Sequence, residues 1–393
     1  MNVPKLRFKE FNDEWQNYKV EEILKISNGI NKEKEFFGSG TPIINYMDVN
    51  KNELISHNIV KGLVIANSKE LETFNVKKGD ILFTRTSETS DEIGLSSSVI
   101  ENIDKCIFSG FILKGTQIKQ FIHPYFGGYY FRNPKMRKEI IKHSSITTRA
   151  LTSGSLLSQM SISIPTIIEQ EKIGKTLSLL DKKIKLQTKK IEDLKLFKKG
   201  FIEFEFSNSN YNEINLKEIL KERKAYSEKG LEFPHVTLSK DGIYDKTDRY
   251  NRDFLVKSDD KKYKITYLND LCYNPANLKF GVICLNEYGS AIFSPIYVTF
   301  VIKNIANPKY IKYYVTRNNF INAIRKYEQG TVYERMAVAP EDFLKFSIKL
   351  PNIEIQNKFV DKLSKLDQKI DLENLKLSRY IKLKKGLMQN MFV

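Results

Sequence analysis

Two stretches of the chain carry a helical period. Ile173, Leu177, Leu180, Ile184, Ile191 and Leu194 step by four and three residues, with Gln187 filling the gap. Phe359, Leu363, Leu366, Ile370, Leu377 and Tyr380 do the same, with Glu373 in the gap. Apolar positions recurring in this way predict coiled-coil helices. Pro165 and Pro351 stand at the expected starts, where proline is tolerated. Gly200 and Gly386 stand near the ends, where helices stop. Two ordinary amphipathic helices on separate cores would show the same pattern, since short heptad runs do not separate the two. The intervening stretches are mixed. Content of β-branched and aromatic residues predicts strands at Ile43–Val49, Asp80–Thr84, Lys105–Leu113, Asp270–Tyr273, Phe280–Leu285 and Ala291–Val301. Helices are predicted at Pro134–Lys142 and Lys309–Tyr327.

The two periodic stretches are copies of each other. Ser161–Phe204 aligns with Ser347–Asn390 at an offset of 186 without a gap, and about 17 of 44 positions are identical. Matching pairs include Gln170/Gln356, Asp181/Asp367, Lys198/Lys384 and Gly200/Gly386. Upstream, Pro124-Tyr-Phe-Gly-Gly-Tyr-Tyr130 is similar to Pro308-Lys-Tyr-Ile-Lys-Tyr-Tyr314, and Val20–Lys25 to Leu216–Lys221. Arg149 and Arg335 fall at the same 186 offset. The expected fold class is therefore α/β (α+β), two globular domains joined by two long helices that form an antiparallel coiled coil with a pseudo-two-fold internal repeat. The expected boundaries are residues 1–160, a helical spacer 161–206, residues 207–346 and a second spacer 347–393. Antiparallel helices of about 38 residues, roughly 57 Å at 1.5 Å per residue, meet at their midpoints near Gln187 and Glu373. A polar pair in such a core fixes register; a solvated flank position is the alternative.

Composition narrows the function. Basic residues outnumber acidic ones by 64 to 47, a net charge of +17, which suits a polyanion such as DNA. A generally Lys-rich proteome would give the same balance. No apolar run reaches 18 residues and the first ten residues are charged, so neither a membrane span nor a secretory leader is expected. Cys106, Cys272 and Cys284 have no close spacing and read as free thiols of a cytoplasmic protein. The four histidines form no metal-ligand pair, and no bound metal is expected. Gly174-Lys-Thr176 lacks the first glycine of a phosphate loop, with Glu169 in its place. Asn274-Pro-Ala276 lacks the second proline and aromatic of an amino-methyltransferase loop. Glu222-Arg-Lys224 has a spacing seen in nucleases but lies in a stretch read as a charged helix.

Variable unit, repeated block, variable unit, repeated block: this plan resembles the specificity subunit of type I restriction–modification systems. Pro165 through Gln170 and Pro351 through Gln356 resemble that family's helix entry, and Lys-Lys-Gly200 and Lys-Lys-Gly386 its helix exit. Lys78-Gly-Asp-Ile-Leu-Phe83 resembles a strand of its target-recognition domains, and Asn269–Tyr273 departs there. The resemblance implies that each domain reads half of a bipartite, asymmetric site in double-stranded DNA. It also implies binding to two modification subunits and, through them, two restriction (motor-nuclease) subunits. S-adenosylmethionine, ATP and Mg would belong to those partners, with no cofactor and no catalytic residue in this chain. Base reading needs placed polar side chains, and the candidates are Arg85, Thr86, Ser87, Thr148 and Arg149 in the first unit. Asn274, Asn277, Lys279, Thr331 and Arg335 are those in the second. The recurring Arg149 and Arg335 are expected to hold phosphate. An unrecognised DNA-modifying enzyme and a non-specific coiled-coil scaffold remain the other readings.

Overall fold

A computed structural model of the protein describes residues 2–146, 149–207, 210–227, 233–245, 262–328 and 337–393. The chain divides into two compact units, residues 1–190 with 373–393, and residues 191–372. Each unit therefore holds one globule and one end of each long helix. The helices run from Ile167 to Ser207 and from Ile353 to Asn390. In the first unit Gln187 meets Glu373 and Asp181 meets Lys384. In the second, Lys198 meets Asp367 and the Phe201 ring stacks on Phe359. Rising numbers on one helix face falling numbers on the other, so the pairing is antiparallel in both.

The first globule is built on a sheet ordered Leu24–Asn28, Ile112–Gln117, Ile81–Thr84, Ser96–Val99, Leu54–Ile55. The second repeats four of these places in the same order, as Leu220–Glu222, Val298–Ile302, Leu271–Tyr273 and Ile283–Leu285. The repeat thus extends through both globules. The first core gathers Trp15, Phe83, Phe126, Tyr130 and Leu177 with Met391 and Phe392, which follow the second long helix. The second gathers Tyr273, Phe300, Tyr310, Phe343, Phe359 and Leu363. Both cores include residues of a long helix, so burial of apolar side chains holds the helices to the globules.

Several sequence expectations need correction. The blocks beginning at 161 and 347 open with strands: Ser161–Ile164 pairs with Gln16–Lys19, and Ser347–Leu350 with Asn212–Asn215. Ile43–Val49 is not one strand. The strand ends at Ile44, and a helix runs from Tyr46 to Lys51 because Asp48 reaches back to the Asn45 N–H, 2.8 Å. Lys309–Tyr327 breaks into helices Pro308–Val315 and Asn318–Ile324 with a 3₁₀ turn after them. Glu222 ends a strand rather than lying on a helix; it pairs with Lys264, and Arg223 forks onto Asp270 at 2.8 and 2.9 Å. Those charges are already matched. Among the described residues, no helix is long and apolar enough to cross a membrane.

Candidate nucleic-acid interface

In the first unit the strand Ile81–Thr84 is buried along its length, so the turn that follows leaves from a fixed base. Thr84 organises that turn. Its Oγ1 donates to the Glu92 carbonyl and accepts from the Leu95 N–H, both 2.9 Å. Arg137, half-buried, donates to the carbonyls of Asp91 (3.0 Å) and Ile93. Burial lowers the Arg137 pKa to about 10, still a cation at neutral pH. Gly94 closes the turn at φ +60°, and a Cβ there would lie 2.5 Å from Ile140 Cγ2.

Thr86–Ser87 pairs with Ala150–Leu151, and the Thr152 N–H donates to the Arg85 carbonyl at 3.0 Å. The two polar loops of this unit, some 60 residues apart in sequence, therefore share one ladder. With Tyr46 and Phe111 they wall a hollow of about 620 Å³. Thr86, Ser87 and Arg149 line it. Arg85 does not; its backbone is bonded to Phe111 and Thr152, and its side chain is half-buried elsewhere. Ser87 is buried and its Oγ accepts from the Thr89 N–H at 3.2 Å, so it shapes the turn rather than offering a free contact. Thr148 lies outside the described residues. Glu88, Glu92, Tyr46 and Phe111 also wall this hollow, and the sequence reading missed them.

The second unit fills the same place differently. Asn274 is a helix cap, not a free reader. It is buried, and its Oδ1 accepts from the N–H groups of Ala276 (3.1 Å) and Asn277 (3.2 Å), starting a 3₁₀ turn at Pro275. Asn277 and Lys279 are half-buried on that turn, and the Lys279 ammonium lies 5.3 Å from the Phe280 ring centre. The Val338 N–H donates to the Pro275 carbonyl at 3.2 Å, the counterpart of the Thr152–Arg85 bond. The turn thus lies beside the chain that leaves 329–336; Thr331 and Arg335 fall in that segment, outside the described residues.

Between the helices, Gln187 Nε2 donates to Glu373 Oε2 at 2.6 Å and to the Glu373 carbonyl at 2.9 Å. Lys190 and Lys376 reach Glu373 Oε1 at 2.9 and 3.2 Å. Donors from Gln187, Lys190 and Lys376 hold the Glu373 pKa down at about 2. Toward each globule stands a recurring trio. Lys384 meets Asp181 (2.6 Å) and Glu53 (2.8 Å), and the Tyr129 hydroxyl donates to Asp181 at 2.7 Å. In the second unit Lys198 meets Asp367, to which the Tyr313 hydroxyl donates at 3.3 Å. Burial opposes the Lys384 charge, but Glu53 and Asp181 outweigh it and raise the pKa. Burial pushes the thiols of Cys106 and Cys284 up to about 12, so neither is an activated nucleophile at neutral pH. Among the described residues, no group of three or more His, Cys, Asp or Glu side chains is placed to hold a metal ion.

Duplicated globules, each on an antiparallel pair of helix segments, with matched fastenings and differing polar turns, define a protein of two related globular modules. Residues 12–196 match the family described as type I restriction modification DNA specificity domain. Over that stretch, 185 of its 393 residues, the chain is similar to that family. A protein of Methanocaldococcus jannaschii, provisionally named type I restriction enzyme MjaX specificity subunit, is 26% identical over 224 residues. The match covers 55% of this chain and 51% of that protein. The chain thus spans about half the length of this curated relative. The S subunit of a type I restriction–modification system from M. genitalium has a TM-score of 0.56 at 15% identity, over 100% of this chain and 99% of that one. The HsdS subunit of Thermoanaerobacter tengcongensis has 0.52 at 13% identity, over 95% of each chain. At such identities these likenesses show the shared fold.

Proposed function

We propose that this chain is the DNA sequence-specificity subunit of a type I restriction–modification complex. It reads a bipartite, asymmetric site and directs adenine methylation or restriction by its partners. Those partners are two modification subunits and two restriction (motor-nuclease) subunits, which carry the chemistry of S-adenosylmethionine, ATP and Mg. No catalytic step falls to this chain. The observation that carries the reading is the contrast between the globules. Strand order and the bonds to Gln170 and Gln356 recur, while the polar turns beginning at Thr86 and at Pro275 differ in form. Two like scaffolds presenting unlike surfaces suit two unlike half-sites. The charge of +17 supplies sequence-independent attraction to phosphate. Methylome sequencing of a host carrying this chain and its modification subunits tests the proposal. One bipartite motif is expected, and exchanging residues 1–155 for those of a relative should change one half only. A contiguous palindromic motif, no motif, or a change in both halves refutes it.

A further inference from the structure

The hollow of the first unit has an unusual charge for this chain. Among the described residues its walls carry Glu88, Glu92 and one cation, Arg149, in a protein with 17 more basic than acidic residues. Glu88 and Arg149 are both exposed, yet among the described residues neither makes an ion pair. Beside them stands Phe111, 63% exposed. The turn that bears Glu88 is held by Thr84 and Arg137, so its side chains leave from a preorganised backbone.

An acid-walled hollow does not suit phosphate, which offers acceptors and negative charge only. It suits a donor. In the major groove the donors are the exocyclic amines of cytosine and adenine. Adenine places its N7 acceptor beside N6, where it opposes a carboxylate; cytosine presents N4–H₂ with no acceptor next to it on that edge. The base paired with cytosine is guanine, whose O6 and N7 accept a bidentate arginine. One C·G pair therefore needs both groups that this hollow holds apart. Phe111 adds apolar surface for a neighbouring pyrimidine edge.

We propose that this hollow reads a C·G base pair of one half-site, Glu88 accepting from cytosine N4 and Arg149 donating to guanine O6 and N7. The inference rests on the DNA-reading function above. It departs from the phosphate role that recurrence of Arg149 and Arg335 suggests, because equal places in a repeat need not meet equal partners.

The test uses the complex of the full chain with its modification subunits, by methylome sequencing and by binding to matched and singly mismatched duplexes over a salt series. Arg149→Ala should lower discrimination at one position of one half-site by roughly 5- to 150-fold, with the other half-site and the salt slope unchanged. Glu88→Gln keeps size and removes the charge, and glutamine pairs with adenine N6 and N7, so preference at that position should move from cytosine toward adenine. A uniform loss for Arg149→Ala on all sequences, with the salt slope reduced by about one, makes it a phosphate contact and overturns the proposal. So does Glu88→Gln with an unchanged motif. If the wild-type complex directs no bipartite methylation, the DNA-reading function itself has failed; a wild-type motif retained in both variants defeats the C·G assignment alone.

Discussion

Replacing Gln170 by alanine should destabilise the first unit and leave the second untouched. Gln170 is 1% exposed. Its Oε1 accepts from the His123 N–H at 2.8 Å, and its Nε2 donates to the carbonyls of Phe121 and Pro165, both 2.9 Å. One side chain thus ties the loop before the helix Pro124–Tyr130 to the entry of the first long helix. Gln356 does the same in the second unit, accepting from Asn307 (2.8 Å) and donating to Ile305 (3.3 Å) and Pro351 (2.8 Å). Three bonds at about 1 kcal/mol net each give a loss of about 3 kcal/mol for Gln170→Ala, more if the buried groups find no water. In a unit of about 200 residues that lowers the thermal midpoint by roughly 6–12 °C. Gln170→Glu should cost at least as much despite its shape, because it turns an oxygen toward two carbonyls in place of a donor. Hydrogen exchange read by mass spectrometry locates the effect. Amides of the first globule should lose protection in the Gln170 variants, and those of the second in Gln356→Ala. A Gln170→Glu variant with wild-type stability, or loss of protection in both globules from one substitution, would show that the glutamine is not the fastening.

The helix centre should report through pH. Glu373 is held at about 2 against an ordinary 4.5, so its contribution is complete above about 4.5 and is lost as the pH falls toward 2. Thermal midpoints of wild type and Glu373→Gln should therefore differ by a constant amount above pH 4.5 and converge by about pH 2; a constant gap across that window contradicts the bonding seen. Lys384→Met should destabilise the first unit by about 1–3 kcal/mol, since the part-buried Glu53 and Asp181 both lose the cation they share. Denaturant melts check this, and adding Glu53→Gln should recover part of the loss.

What was legible in the sequence was what recurs. The heptads run long enough for their period to stand out, and counting inward from the ends of two antiparallel copies leads to Gln187 and Glu373. Short elements were less legible, though some signals were present. Asn45 with Asp48 three residues on is a capping pair, and Asn274 before Pro275 marks a helix start; β-branched residues around the first pair, and the equal fitness of asparagine for reading adenine at the second, compete with these signals. Nothing local marks the break after Val315, which lacks glycine or proline. The hollow was out of reach for a different reason. Tyr46, Glu88, Phe111 and Arg149 come from four separate segments; the ladder of Thr86–Ser87 with Ala150–Leu151 joins two of them, and the Arg85–Phe111 and Ser109–Ile44 backbone bonds bring in the others. A repeat reveals the residues that keep both copies alike: Gln170 with Gln356, Asp181 with Asp367, Lys198 with Lys384. These prove to be fastenings between globule and helix. On the proposed function, residues that tell one DNA half-site from another must differ between copies, so the periodicity that exposes the scaffold is silent about them. Arg149 illustrates the limit of recurrence: its place in the sequence is shared with Arg335, but its own neighbours Glu88, Glu92 and Phe111 decide what its guanidinium can meet.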